Sequence, residues 1–232
     1  MAVFVMKDLF VSIFGKPEGI VLFQLLEATQ FTIYLSLIAF IGGGLIALVL
    51  AFMATVKNPL SNLTSTSYIW LFQSTPLLML LFLFGLAIPR LFEVDINVWF
   101  AASVALVLYA SAYIGEVWRG AINSIPGSQW EAGAALGLGF FPVFFLIIVP
   151  QAIRISIAPT VGFMVQIIKG TSLAYIIGFH DLMAIGKRWA NAPVNGTEPF
   201  IIFPLMALIY FSLCFPLSQL SQWLERKMKM AN

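Results

Sequence analysis

The sequence predicts an all-α membrane protein, a polytopic helical bundle with about five transmembrane helices. Two observations carry this. Of 232 residues, 61% are apolar and 9% charged, with a mean hydropathy of +0.98. A soluble domain carries about 25% charged residues, and a chain of this length cannot bury so much apolar surface and still clothe itself in polar groups. The apolar runs are also long and unbroken, as at 143–150 and 201–215. Inside lipid the backbone must satisfy its own hydrogen bonds, which leaves helices or a closed barrel. A barrel would show short alternating segments, so helices are expected and the lipid bilayer is the first partner. The net charge of +2 is small and scattered, which argues against a nucleic-acid partner. The single cysteine, Cys214, sits in an apolar run and reads as a small buried hydrophobe.

Each crossing needs about 20 residues. Residues 1–28 read as an N-terminal interfacial segment. The part from Pro17 to Gln30, with Glu18 and Glu27, either lies at the interface or extends the first helix. Residues 1–8 are apolar but short and lack a basic front, so no cleaved leader is expected. The first span covers 29–55, with Gly42, Gly43 and Gly44 at its middle, where glycine allows close approach of helices. A polar hinge at 56–66 carries the breaker Asn58-Pro59. The second span covers 68–88 and contains Pro76. A charged loop at 89–97 leads to the third span, 98–118. The fourth, 144–168, is interrupted by Pro150 and Pro159. A mixed loop at 169–199 has an amphipathic stretch near 173–185, and the fifth span is 200–220. The tail at 226–232 is basic, which predicts a cytoplasmic C-terminus, with Lys57, Arg119 and Arg154 on the same face. Five crossings put the termini on opposite sides.

The longest region that is not simply a span, 119–139, holds the most specific pattern. It reads Glu131-Ala132-Gly133, three residues, Gly137, nine residues, then Ile147, Val149 and Pro150. Around it stand Gly115-Glu116-Val117-Trp118-Arg119-Gly120, Ile122-Asn123-Ser124-Ile125-Pro126 and Val149-Pro150-Gln151-Ala152-Ile153-Arg154. Lys169-Gly170-Thr171-Ser172-Leu173-Ala174 follows, and Ser74-Thr75-Pro76-Leu77-Leu78 lies upstream. Glu131–Gly139 resembles the EAA loop of the permease subunits of bacterial ABC importers. The ordered blocks together resemble the polar amino acid uptake permeases, the group handling histidine, glutamine, glutamate, arginine and opines. The resemblance runs from about 29 to 225, the expected transmembrane domain, with the coupling loop at 126–150.

The resemblance implies a type I permease fold with a short coupling helix docked on an ATP-binding subunit. Glu131, Ala132, Gly133, Ala134 and Gly137 are then the coupling residues. It further implies a dimer of ATP-binding subunits carrying ATP and Mg, a second permease of the same or similar kind, a solute-binding protein at the outer face, and an amino acid substrate moved across the inner membrane. Gly133 departs from the usual second alanine, Gly127-Ser128-Gln129 from Lys-Gly-Gln, and Gln73-Ser74 from Arg-Gly. Each change except the first removes positive charge.

Polar groups at hydrocarbon depth are costly and therefore candidates for function. Glu116 leads them. Its ordinary role is a pair with Arg119 or Arg154, and its functional role is in the passage. Gln151, Met164, Gln166 and Leu78 are further passage candidates, and Pro76, Pro150 and Pro159 are helix breaks of the kind that line transporter cavities. His180, the only histidine, stands beside Asp181 and reads as a surface residue, with too few ligands for a metal. No catalytic constellation is present and there is no Gly-x-x-x-x-Gly-Lys-Ser/Thr loop. The chain is therefore expected to be a transporter subunit without catalysis or cofactor of its own. A self-sufficient secondary transporter or channel, or a membrane scaffold, are the competing readings.

Overall fold

A computed structural model describes residues 2–56 and 58–229, excepting the side chains of 2–6, 14 and 229. Met1, Lys57 and the end of the basic tail lie outside the described residues, and with them the place given to Lys57 in the charge pattern. The described residues form nine helices and no strand. These are α1 (Ala2–Phe14), α2 (Glu18–Thr55), α3 (Pro59–Ser74), α4 (Leu77–Phe92), α5 (Val98–Asn123), α6 (Gly127–Ala135), α7 (Phe140–Ile177), α8 (Leu182–Ala190) and α9 (Pro199–Lys229). Helices α2, α5, α7 and α9 are each long and apolar enough to cross a membrane, and α3 with α4 make a fifth crossing when the broken pair counts as one.

Three boundaries differ from the sequence reading. Of the two readings of 17–30, extension of the first helix holds: residues 18–28 open the continuous 38-residue helix α2, which therefore starts well before 29. The polar stretch after Asn58 is helical rather than a hinge. Asn58 caps α3 by accepting the Leu60 amide at 3.0 Å, and Pro59 fits the first turn, where no amide partner is needed. The amphipathic helix lies at 182–190, not 173–185. Gly178, at φ +89°, ends the preceding turn, and the Asp181 carboxylate caps the new helix at Ala184.

The described chain forms two compact units. The first takes residues up to Ile38, Leu77–Leu106 and Ile167–Phe215; the second takes Ala39–Pro76, Val107–Gln166 and residues from Pro216 onward. In the first unit, Val21 and Leu25 of α2 pack with Leu182 and Ala190 of α8 and with Ile202, Met206 and Ile209 of α9. Met206 lies directly on Gly186, where a β-carbon has no room. Trp189 Nε1 donates to Gln24 Oε1 at 2.8 Å, so the one polar atom of a large apolar side chain is satisfied. Buried hydroxyls on α2 are absorbed by their own helix, Thr29 donating to the Leu25 carbonyl and Ser36 to that of Thr32.

In the second unit, Ala51 of α2, Ala121 and Ile122 of α5, and Phe144, Ile148 and Ala152 of α7 form the core. Here α2 meets α5 at Gly43, where an added β-carbon would stand 2.6 Å from Ala110 Cβ. Close approach of this kind replaces the hydrophobic drive that lipid removes. Cross-helix hydrogen bonds add to it: Ser65 donates to the Leu50 carbonyl at 2.8 Å, and the Tyr68 and Ser111 hydroxyls meet at 2.8 Å.

Candidate coupling segment and translocation residues

The EAA-like stretch forms a short exposed helix with a tightly determined exit. Pro126 precedes α6, and the Gln129 amide returns to the Pro126 carbonyl at 3.0 Å. At the other end the Gly137 amide donates to the Ala134 carbonyl at 2.9 Å and the Leu138 amide to that of Gly133 at 3.1 Å. This paired closure is a Schellman motif, and it requires the left-handed residue that Gly137 supplies at φ +74°. One face of α6 is fixed to its own unit. Gly133 is buried against Val143, with only 2.5 Å between a notional β-carbon and Val143 Cγ2. Trp130 stacks on Phe140 at 5.9 Å and on Phe144 at 6.4 Å. The opposite face is open: Glu131, Ala132, Ala134 and Ala135 are exposed and Leu136 is 78% exposed. The departure of Gly133 from alanine thus has a packing cause. An apolar, small-residue face with one carboxylate is left for a partner surface.

The remaining candidates separate. Glu116 and Arg119 form a bidentate pair one turn apart on α5, with Arg119 Nε at 2.8 Å and Nη2 at 2.6 Å from the two carboxylate oxygens. Arg154 makes no bond to Glu116. Gln151 does not reach across the bundle; its Nε2 donates to the Ile147 carbonyl of its own helix at 2.8 Å. Gln166 is exposed and Met164 half-buried on α7 of the second unit, while Leu78 is half-buried on α4 of the first. Pro76 follows Thr75, whose extended backbone ends α3. Pro150 follows a π turn at Phe144–Ile148, and Pro159 sits inside α7.

Sequence reasoning missed the partner of the aromatic face beside Glu116. Tyr109 and Tyr113 lie 4.6 Å apart on α5, and Phe163 of α7 stacks on Tyr113 at 5.3 Å and 13°. Tyr109 and Tyr113 stand four residues apart on α5, but Phe163 comes from 50 residues beyond Tyr113 and nothing local marks it. Met164 and Gln166 follow it in α7. The second omission is Asp181. It is fully buried at the start of α8; Oδ1 accepts the Ala184 amide at 2.9 Å, while Oδ2 and the Tyr210 hydroxyl are buried without a hydrogen-bond partner. Burial pushes its carboxyl up to about 6, against the opposing pull of the amides at the helix start. His180 beside it is exposed, and among the described residues no cluster of three metal-ligating side chains exists.

Comparison with known proteins places the chain in context. The profile of the family described as the binding-protein-dependent transport system inner membrane component matches residues 43–230. The L-cystine transport system permease protein TcyB of Bacillus subtilis is 35% identical over 203 residues, covering 85% of this chain and 83% of its own. The probable amino-acid ABC transporter permease protein PatM of Vibrio harveyi is 32% identical over 189 residues, covering 81% and 83%. Among solved structures, an amino acid ABC transporter crystallised with histidines superposes with a TM-score of 0.80 at 26% identity, covering 88% of this chain and 94% of that one. The MetNI methionine ABC transporter, at a TM-score of 0.70 and 18% identity, shares the fold.

Proposed function

Because the chain belongs to the family of inner membrane components of binding-protein-dependent transport systems, we propose that it is the translocating subunit of an ATP-driven importer for polar amino acids. The observation that carries the coupling half of this reading is α6: a short helix closed by a Schellman motif, pinned on one side by Gly133 and Trp130, and exposed at Glu131, Ala132, Ala134 and Leu136 on the other. A helix built this way transmits a push. Its buried face moves with α7, and its exposed face has the small profile and single charge suited to a cleft on another protein.

In this reading two ATP-binding subunits, holding ATP and Mg, close on a pair of permeases, each engaging one α6. A solute-binding protein delivers the substrate from outside, and the permease of this chain pairs with itself or a near relative. The amino acid assignment draws on the relatives, two of which are named for amino acid or cystine transport. The histidine, glutamine, glutamate, arginine and opine group remains the proposed substrate range. The Tyr109–Tyr113–Phe163 stack, with Glu116 one turn on in α5 and Met164 and Gln166 next in sequence in α7, supports a passage lined by ring faces and amides. Aromatic faces attract an ammonium group.

The experiment is co-purification joined to transport. Tagged protein extracted in mild detergent should bring down an ATP-binding subunit, and Glu131→Lys should release it and lower ATP-dependent amino acid uptake at least tenfold. Recovery of no ATPase, together with unchanged uptake by the Glu131 variant, overturns the reading.

A further inference from the structure

A furrow of about 650 Å³ lies within the second unit, between α2, α5 and the first half of α7. These three helices are each long and apolar enough to cross a membrane, so the furrow belongs to the hydrocarbon layer. Its floor is made of small buried residues, Ala51, Ala152 and Ser156. Its rim is made of bulky exposed ones, Leu48, Phe145, Ile153 and Ile157. The wall side chains that carry a polar atom are already engaged. Trp118 Nε1 donates to Thr160 Oγ1 at 2.9 Å, the Thr160 hydroxyl to the Ser156 carbonyl at 2.7 Å, and the Ser156 hydroxyl to the Ile153 carbonyl at 3.4 Å. Nothing on the wall calls for a polar or charged ligand.

The wall runs along the helices rather than across them. On α7 it extends from Phe144 to Val161, about 25 Å at a rise of about 1.5 Å per residue. On α2 it extends from Phe40 to Phe52, and the Phe52 and Phe144 rings meet at 5.5 Å, so the two stretches share one end. Spread over that length, the volume leaves a mean section of roughly 25 Å². A helix about 10 Å across has about three times that section, so a second helix cannot lie in the furrow. The rim also lacks what pairs helices in lipid, namely small exposed residues that let backbones approach and free polar groups that bond across. The occupant that fits is slim, long and apolar. The bilayer supplies it, since each lipid tail runs through half of a core about 30 Å thick. We propose that the furrow seats one acyl chain of a membrane phospholipid. The chain lies along α7 between α2 and α5 and rests on Phe144, whose ring also stacks on Trp130 of α6 at 6.4 Å. The lipid is thereby part of the packing beneath α6, a bound component rather than passing solvent.

The test uses the full chain, extracted with its native partners and placed in nanodiscs containing a phosphatidylglycerol that carries a diazirine midway along one acyl chain. Irradiation followed by peptide mapping should label Phe145 and Ile153 at least fivefold more than Leu208 and Phe211, exposed residues of α9 that measure passing lipid. Ser156→Leu fills the floor and Ile157→Trp narrows the mouth. Each should lower labelling of Phe145 and Ile153 at least fivefold and leave that of Leu208 and Phe211 unchanged; either variant suffices where the other fails to fold. Furrow labelling no higher than that of α9, or unmoved by the folded variants, overturns the proposal. A bismaleimide cross-link between copies through Ile157→Cys, in a Cys214→Ser background, overturns it as well, because it assigns the furrow to a second permease.

Discussion

At the scale of single residues, Gly133 shows how a motif position acquires its physics. The sequence marked it as a departure from the alanine expected there; the structure supplies the cause, since a β-carbon would meet Val143 Cγ2 at 2.5 Å. Overpacking of this kind costs about 1–3 kcal/mol. Gly133→Ala should therefore tilt α6 and lower ATPase co-purification and uptake, and Val143→Ala in the same chain should restore both. Failure of the double variant to recover would show that the glycine serves something other than this contact. Asp181 makes the opposite point, because nothing in its sequence context marks a buried carboxyl. Its raised value, about 6 against the ordinary 3.8, means the folded state holds the proton more tightly than the unfolded chain. Its contribution to stability is thus fully present below pH about 4 and is lost as pH rises through about 6. Asp181→Asn keeps the helix cap and removes the titration. In detergent, its melting temperature should exceed wild type at pH 7, by an amount equivalent to about 1–3 kcal/mol, and the gap should close by pH 4. Equal melting curves at pH 7 would place the carboxyl in a better-solvated setting than its burial implies.

At the scale of elements, the prolines were legible but their consequences were not. Three prolines read alike in the sequence as breaks, and the structure treats each differently. Pro76 ends a helix through the extended Thr75, Pro150 is accommodated by the preceding π turn, and Pro159 is carried inside a helix that continues. Pro89, read as the start of a loop, likewise follows a π turn, Leu83–Ala87, inside α4. The difference lies in the neighbours: a wider turn reorganises the carbonyls that proline would orphan, and that adjustment is a property of packing, invisible in composition. The same limit explains the mislaid amphipathic stretch, since apolar periodicity at 173–185 says nothing about the left-handed Gly178 that interrupts it. Pro159→Ala tests the element directly. Restoring the missing amide should stabilise α7 and raise the melting temperature of the purified protein, while uptake falls several-fold because the gap in the hydrogen-bond ladder is closed. A stabilised variant with full uptake would show that the break has no part in transport.

At the scale of the whole molecule, the class of the fold was written in hydropathy and the order of its long helices in the spacing of polar breaks. The crossing number turns on one element pair. Helices α3 and α4 are separated at Thr75 and Pro76. They constitute either one interrupted crossing or a loop that enters and leaves by the same face. The first half of α3 carries Ser61, Asn62, Thr64, Ser65, Thr66 and Ser67, a composition unsuited to hydrocarbon. Its apolar part begins near Tyr68 and continues to Ile88. Counted in residues that is one crossing of about 20, although its two arms meet at 95°. A returning loop would have to immerse the polar half as well, with the cost of each unshared hydroxyl. We therefore expect five crossings and termini on opposite faces, the C-terminal end with Arg226 and Lys227 in the cytoplasm. The measurement is labelling with a membrane-impermeant maleimide of single-cysteine variants in a Cys214→Ser background. In intact cells stripped of the outer barrier, Asp8→Cys and Asp95→Cys, with the two crossings α2 and α3–α4 between them, should label together from outside, while Ser128→Cys and Glu225→Cys label only after the membrane is opened. If position 95 instead labels on the face opposite to position 8, α3 and α4 return to the face they left, the crossing count is four, and both termini share one side with position 128.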